Sequence, residues 1–145
     1  MTTDELKQKA AELKTVIQLK SPEELRKATK YSLRGFMAVV LGEKAFRTDI
    51  VVFLFGSILA ATLLFFGLIG WCECALMIYV VFMALVGEIV NTAIETTIDR
   101  ISTEYHELSG KAKDIGSAIV FVSFFGAGLV WAVILLGMIL RLLRS

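Results

Sequence analysis

The stretch VGEIVNTAIETTIDR, residues 86–100, decides how this chain can fold. It continues an uncharged segment, residues 74–87, that has the composition of the first half of a membrane span. Polar side chains then follow at spacings of 3, 4 and 4 residues, and we call this set the acidic stripe: Glu88, Asn91, Glu95 and Asp99. At about 100° per helical residue, all four fall within a sector of about 80°. Because an acidic side chain in mid-membrane costs at least about 2.5 kcal/mol, the stripe must face protein, water or bound ions.

Two further stretches, residues 50–72 and 115–140, contain no Asp, Glu, Lys, Arg or His. Each is longer than the roughly 20 residues that cross about 30 Å of hydrocarbon. The whole chain of 145 residues is 57% hydrophobic, and its mean hydropathy of +0.74 is higher than a soluble domain usually has. The sequence therefore predicts an all-α membrane protein with three transmembrane helices, at about residues 50–71, 74–98 and 115–140.

The basic residues predict the orientation of these spans. Ten of the fifteen Lys and Arg lie in the first 49 residues, and the short connection at residues 71–74 has none. The next connection carries Arg100, Lys111 and Lys113. By the positive-inside rule, the N-terminus is expected in the cytoplasm and the C-terminus outside. Two arginines near the C-terminus oppose this orientation, but they are outnumbered.

An amphipathic N-terminal extension is expected over residues 1–21, on a surface or on another helix. Its apolar residues recur at spacings of 4, 3 and 4: Leu6, Ala10, Leu13 and Ile17. A membrane domain, residues 22–145, follows and begins with an interfacial helix over residues 22–47. Ser21, Pro22 and Glu24 have the pattern of a capping box with proline in the first turn.

The segment LGEKAFRTD, residues 41–49, leads from the interfacial helix into the first span. Gly42 is expected to break the helix there. On the residues alone, the charges that follow indicate a solvated interfacial cluster of snorkelling side chains: Glu43, Lys44, Arg47 and Asp49.

The depth of the acidic stripe follows from length. A helix over residues 74–98 is about 37 Å long, so its last turns should emerge from the membrane on the cytoplasmic side. Glu95 and Asp99 would then lie near the water boundary, with Glu88 about 10 Å deeper. The alternative is a structural polar seam in which Asn91 bonds between helices. Two buried acids favour a functional site, although proton relays and cation pathways use carboxylates too.

The longer segment GEIVNTAIETTIDRISTEYHELSGKAKDIGSA, residues 87–118, closely resembles the signature of the prokaryotic diacylglycerol kinases. Upstream, KATKYSLRGFMAVVLGEKAFRTD, residues 27–49, resembles the interfacial helix of that family. The resemblance covers roughly residues 26–131. It implies a bacterial inner-membrane enzyme that transfers phosphate from MgATP to diacylglycerol, as a homotrimer with shared active sites. No Walker motif or protein-kinase glycine loop is present in the sequence, and no nucleic-acid partner is expected.

The resemblance also implies roles for single residues. Glu88 matches the catalytic base, Asn91 is expected to orient the base or a phosphate, and Glu43 and Glu95 match a Mg²⁺-binding pair. The positions that match nucleotide contacts are Tyr31, Glu43, Glu95, Glu104, Tyr105, His106, Lys113 and Asp114. The positions that match lipid-substrate contacts are Ala28, Ser32, Leu33, Met37, Phe46, Arg47, Glu88, Ser117 and Trp131.

Some residues leave alternatives open. Met37 and Glu24 stand where shorter members of the family carry arginine, and Trp131 without the resemblance is a packing aromatic. An undecaprenol kinase would share much of the acidic stripe, but DRISTEYHELSG and EKAFR look closer to the diacylglycerol branch. A small ion-coupling membrane subunit could use Glu88 and Glu95 as a relay, but it would have no need of the EYHELSGKAKD segment.

Overall fold

Helices account for nearly all of the described chain, as the apolar segments predict. The computed structural model describes residues 2–16, 21–102 and 104–144. In chain order the helices are α1 (Thr3–Val16), α2 (Pro22–Gly42), α3 (Lys44–Phe65), α4 (Trp71–Ile101) and α5 (Glu107–Leu142). No strand occurs within the described residues. The all-α prediction is confirmed, and α3, α4 and α5 are each long and apolar enough to cross a membrane.

The chain divides into two units, Met1–Met37 and Ala38–Ser145. In the first unit, the predicted capping box at the start of α2 is confirmed. The Ser21 backbone N–H donates to Glu24 Oε2 at 2.7 Å, and the Glu24 N–H donates to Ser21 Oγ at 3.2 Å. These two bonds satisfy backbone donors that a helix N-terminus leaves without partners.

The N-terminal extension contains α1, and Leu6 on that helix is half exposed. Of the other apolar positions expected there, Ile17 and the side chains of Ala10 and Leu13 lie outside the described residues. On α2, by contrast, the side chains are described, and none is buried. That exposure is compatible with the interfacial location that the sequence predicts for this helix.

The second unit includes a sharp break between α2 and α3. Glu43 has extended backbone angles (φ −104°, ψ 118°) and precedes the first residue of α3. The Arg47 guanidinium donates to the carbonyl oxygens of Val40 and Leu41, both at 3.0 Å. These carbonyls belong to the last turn of α2, where backbone acceptors lack helical partners. The break therefore lies at Glu43, and α3 begins at Lys44 rather than near residue 50.

At the other end of the bundle, a tight turn joins α3 to α4. Gly67 has φ +70°, which a residue without a side chain adopts without strain. Beyond it, Glu73 accepts a hydrogen bond from the Gly70 N–H at 2.7 Å. Arg141 near the end of α5 donates to both Glu73 carboxylate oxygens, at 2.9 and 3.2 Å. This forked ion pair ties the end of α5 to the start of α4.

The core of the second unit forms around α4, which packs against both α3 and α5. The buried residues of this core come from all three helices and the α3–α4 turn: Ala60, Ile69, Cys74, Met77 and Ile134. Many large apolar side chains on the outer faces remain exposed, among them Val51, Phe55 and Phe121. An apolar exterior around a small packed core is what a membrane bundle requires, because lipid and not water covers it.

Candidate functional site

The acidic stripe begins in the most enclosed part of α4. Glu88 and Asn91 are only 7% and 8% exposed, and they are the buried polar side chains of the described chain. The preceding residue, Gly87, lies so close to α5 that an added Cβ would be 3.0 Å from Ser123 Oγ. The deep half of the stripe therefore faces protein, as the cost of placing an acid in lipid predicts.

Asn91 connects the deep and shallow parts of the stripe. Its Nδ2 donates a hydrogen bond to Glu95 Oε1 at 3.2 Å, one helical turn away. Its Oδ1 is buried and has no hydrogen-bond partner among the described residues. That oxygen points at α5, where a Cβ on Gly116 would overlap it. Asn91 is thus oriented from both sides, and it keeps one buried acceptor available.

Carboxylates from α3 and the α2–α3 break face the stripe. Asp49, Glu95 and Glu43 all lie near enough to Glu88 to act on it electrostatically. Glu43 and Glu95 are half-buried, and the Glu43 side chain makes no capping hydrogen bond to α3. The structure therefore brings together three residues that the family resemblance assigns to catalysis and metal binding.

Asp49 is the member of this acidic group that sequence reasoning did not select. It is half-buried and lies near enough to Glu88 for the two carboxylates to repel each other. Its position in the charged segment before the first span suggested a solvated residue. The spacing of six residues between Glu43 and Asp49 would have been only weak evidence that they share a site, because α3 begins between them.

The carboxylates of this acidic group are of the chemical type that binds a divalent metal. Among the described residues, no three His, Cys, Asp or Glu side chains are arranged to hold an ion by themselves. Mg²⁺ commonly takes one or two protein carboxylates and completes its shell with phosphates and water. Glu43 and Glu95 are suitable as such a pair, and a cation between them would offset the mutual repulsion of the acidic group.

A polar cavity of about 200 Å³ lies beside the connection between α4 and α5. It unites several residues that were predicted to contact the nucleotide: Glu104, Tyr105, His106 and Lys113. Asp114, by contrast, is exposed and does not line the cavity.

Local hydrogen bonds shape this cavity. The backbone N–H of Leu108 donates to His106 Nδ1 at 3.3 Å, so His106 caps the start of α5. The Tyr105 ring packs against Gly110, where an added Cβ would be 3.4 Å from ring atom Cε2. His106 therefore helps to shape the cavity wall, and its predicted contact with the nucleotide stays a prediction.

The residues predicted to contact lipid lie in both units. Those on α2 in the first unit are Ala28, Ser32, Leu33 and Met37, and the predicted nucleotide contact Tyr31 lies on the same helix. Leu33, Met37 and Tyr31 are about half exposed or more, and Ser32 Oγ donates to the Ala28 carbonyl at 3.0 Å. Their roles in substrate binding stay predictions.

The second unit holds the remaining predicted lipid contacts besides Glu88. Phe46 is fully buried, Arg47 binds the carbonyls at the end of α2, and Ser117 is exposed. The Trp131 Nε1–H donates to the Met77 carbonyl at 3.1 Å, which supports the packing role that the sequence alone favours. The same indole lines an apolar cavity of about 280 Å³ between α3, α4 and α5.

Comparison with known proteins identifies the family. The family model described as prokaryotic diacylglycerol kinase matches residues 30–135. A diacylglycerol kinase of Pseudomonas aeruginosa is 44% identical over 110 residues, which are 76% of this chain and 86% of the relative. One from Haemophilus influenzae is 44% identical over 108 residues, covering 74% of this chain and 88% of the relative. One from Escherichia coli K12 is 39% identical over 114 residues, covering 75% of this chain and 86% of the relative.

The matched segment contains the whole acidic stripe, the polar cavity, all of α3 and α4, and α5 except its C-terminal end. It does not include α1, so the N-terminal extension lies beyond the shared part. The resemblance inferred from the motif is confirmed, and the chain belongs to the prokaryotic diacylglycerol kinase family.

Proposed function

We propose that this protein phosphorylates diacylglycerol with MgATP and so produces phosphatidic acid. One observation carries the proposal: a membrane helix of a chain in this family buries Glu88 and Asn91, with Asn91 bonded to Glu95. Buried ionisable groups in membrane helices are costly and are a mark of functional sites. A purely structural helix would not need an acid in that position.

In the proposed reaction, Glu88 is the general base. A new bond forms between the free hydroxyl oxygen of diacylglycerol and the γ-phosphorus, while the bond from that phosphorus to the bridging oxygen breaks and ADP leaves. The hydroxyl proton passes to the Glu88 carboxylate, which must be ionised to accept it. Its burial beside α5 suits a hydroxyl that arrives from the membrane side.

Glu43 and Glu95 are the proposed holders of Mg²⁺. Bound there, the ion would neutralise phosphate charge as it develops. Asn91 fixes the direction of the Glu95 carboxylate through its 3.2 Å hydrogen bond. Its unpaired Oδ1 remains an acceptor for a water or a hydroxyl hydrogen in the assembled site.

The polar cavity is the proposed nucleotide site. Lys113 supplies a positive charge for the phosphates, and Glu104, Tyr105 and His106 supply polar and aromatic surface from the connection before α5. Because α4 carries the acidic stripe and its last turn lines this cavity, one helix would reach both proposed substrates.

The lipid side of the site is proposed to include the apolar cavity at Trp131. We further propose that the enzyme is a homotrimer with active sites shared between protomers. In the inner membrane of a bacterium, the N-terminus and the α4–α5 connection would lie on the cytoplasmic side, where ATP is available. The distribution of Lys and Arg supports this orientation.

The test is ATP-dependent phosphorylation of defined lipids by the purified full chain in mixed micelles. Labelled ATP is supplied with diacylglycerol or with undecaprenol, with and without Mg²⁺. Labelled phosphatidic acid is the expected product. Label in undecaprenyl phosphate with none in phosphatidic acid would overturn the choice of substrate, and charge movement without ATP turnover would indicate an ion-coupling subunit.

A further inference from the structure

An ion pair links α4 and α5 beside the polar cavity. Lys113 Nζ lies 2.5 Å from Asp99 Oδ1, and the two residues are 14 positions apart in the chain. Asp99 is in the last turns of α4, and Lys113 is in the second turn of α5. Both residues line the cavity, and their side chains are partly exposed, Asp99 to 58% and Lys113 to 37%.

We infer that Asp99 is a positioning residue, which holds the Lys113 ammonium at the polar cavity so that it can receive the phosphates of the nucleotide. This inference rests on the proposed function. Asp99 had no role in the residue assignments from the family resemblance. Its contact with Lys113 is the new observation, because the two residues belong to different helices and their meeting depends on the fold.

A lysine in this place needs a partner to direct it. Its four-carbon stem is flexible, and the ammonium has three donors that rotate freely. One donor is used by Asp99, which leaves two for phosphate oxygens. Asp99 is one helical turn beyond Glu95 on the same face of α4. The contact therefore places the lysine relative to the proposed metal ligand as well as relative to the cavity.

Asp99 could also act in a second way, by repelling the nucleotide, and the two roles predict opposite changes in affinity. A carboxylate near a polyphosphate repels it, so a simple counter-charge would weaken nucleotide binding and its removal would strengthen it. A positioning residue gives the reverse result, because loss of the carboxylate frees the lysine to point into water. The direction of the change in affinity thus distinguishes the two roles.

The experiment compares the full-length wild type with Asp99→Asn, Asp99→Glu, Lys113→Met and the Asp99→Asn/Lys113→Met double variant. Calorimetric titration with a non-hydrolysable MgATP analogue measures Kd, and a diacylglycerol assay measures KM for ATP and kcat. Asp99→Asn should raise Kd and KM roughly fivefold to tenfold, within the range for coupled side chains in contact. Its kcat should stay within about twofold, and Asp99→Glu should restore most of the affinity.

In the Lys113→Met background, Asp99→Asn should have no further effect on Kd, because the residue it positions is gone. Glu107→Gln is the matched control, since Glu107 is an exposed acid in the first turn of α5 and does not line the cavity. It removes the same charge and should leave Kd unchanged.

An unchanged or lower Kd for Asp99→Asn would overturn the inference, as would an equal rise in Kd with and without Lys113. These outcomes leave the proposed function intact if the wild type still produces phosphatidic acid. Conversely, the expected pattern of analogue affinities without any lipid product would retain the positioning of Lys113 and refute the diacylglycerol kinase activity.

Discussion

The amide oxygen of Asn91 occupies the space where a side chain at Gly116 would begin. The Asn91 amide therefore fits only because α5 has no Cβ at that position. On its other side, the same amide donates to Glu95. The Asn91 amide therefore takes part both in the packing of α4 against α5 and in the orientation of Glu95, a proposed metal ligand.

Gly116→Ala should impair both stability and activity. The added methyl group overlaps Asn91 Oδ1, and overpacking of this kind typically costs about 1–3 kcal/mol. To relieve the overlap, Asn91 must move and its bond to Glu95 must lengthen. Thermal unfolding in detergent and the Mg²⁺ dependence of turnover are the measurements.

Gly137→Ala is the control for that substitution. Gly137 is also on α5, but no atom of the described residues lies within 4 Å of an added Cβ there. Alanine there should retain activity and should favour the helix slightly. Equal behaviour of the two variants would refute the steric role of Gly116.

Glu88→Gln should lower turnover by roughly 10²- to 10⁴-fold, the usual contribution of a general base. Glutamine has nearly the same size but cannot accept the hydroxyl proton. The fold and the affinity for a non-hydrolysable MgATP analogue should persist. Steady-state kinetics, unfolding in detergent and calorimetry measure these three quantities, and near-normal turnover would remove Glu88 from the role of base.

Glu95→Gln should instead change the dependence on metal. Losing even an outer partner of a metal ligand costs roughly 10- to 100-fold in affinity, so losing a ligand should raise the Mg²⁺ requirement at least about tenfold. The measurement is turnover against free Mg²⁺ concentration. Partial recovery at high Mg²⁺ is expected, whereas a fall in turnover with an unchanged Mg²⁺ midpoint would contradict the assignment.

Trp131→Phe tests the packing role of this indole. The substitution keeps an aromatic ring beside Gly56 but removes the Nε1–H bond to the Met77 carbonyl. Interhelical hydrogen bonds in membranes contribute about 0.6 kcal/mol on average, so a loss of that order is expected in the free energy of unfolding. The midpoint of unfolding in detergent measures it.

Trp71→Phe is the matched control, because Trp71 is 81% exposed at the start of α4. It should leave the free energy of unfolding nearly unchanged. If Trp131→Phe is equally neutral for stability but raises KM for diacylglycerol, the indole serves mainly as a lipid contact.

Much of the architecture was predictable from local patterns. Three uncharged or nearly uncharged stretches of sufficient length specify membrane helices, since each backbone polar group must find its partner within the helix. The spacing of Glu88, Asn91 and Glu95 specifies one helical face. The capping box at Ser21 is likewise local, because its partners are three residues apart.

The boundaries and the partners of charged residues were less predictable. Arg47 appeared to be a solvated charge, yet it binds the carbonyls at the end of α2 and accompanies the break at Glu43. Asp49 was also placed in the solvated cluster, yet it acts on Glu88. Their sequence positions could not reveal this, because both relations depend on how α3 leaves the break and packs beside α4.

The sequence by itself determined the helical class, the three spans, the acidic stripe and the family, because each is encoded in composition or in short spacings along one helix. Only the tertiary structure decided that Gly116 receives Asn91, that Lys113 meets Asp99 and that Trp131 reaches Met77. Each of these contacts joins α5 to α4. The packing of two helices sets which side chains meet, and no periodicity within either helix contains that information.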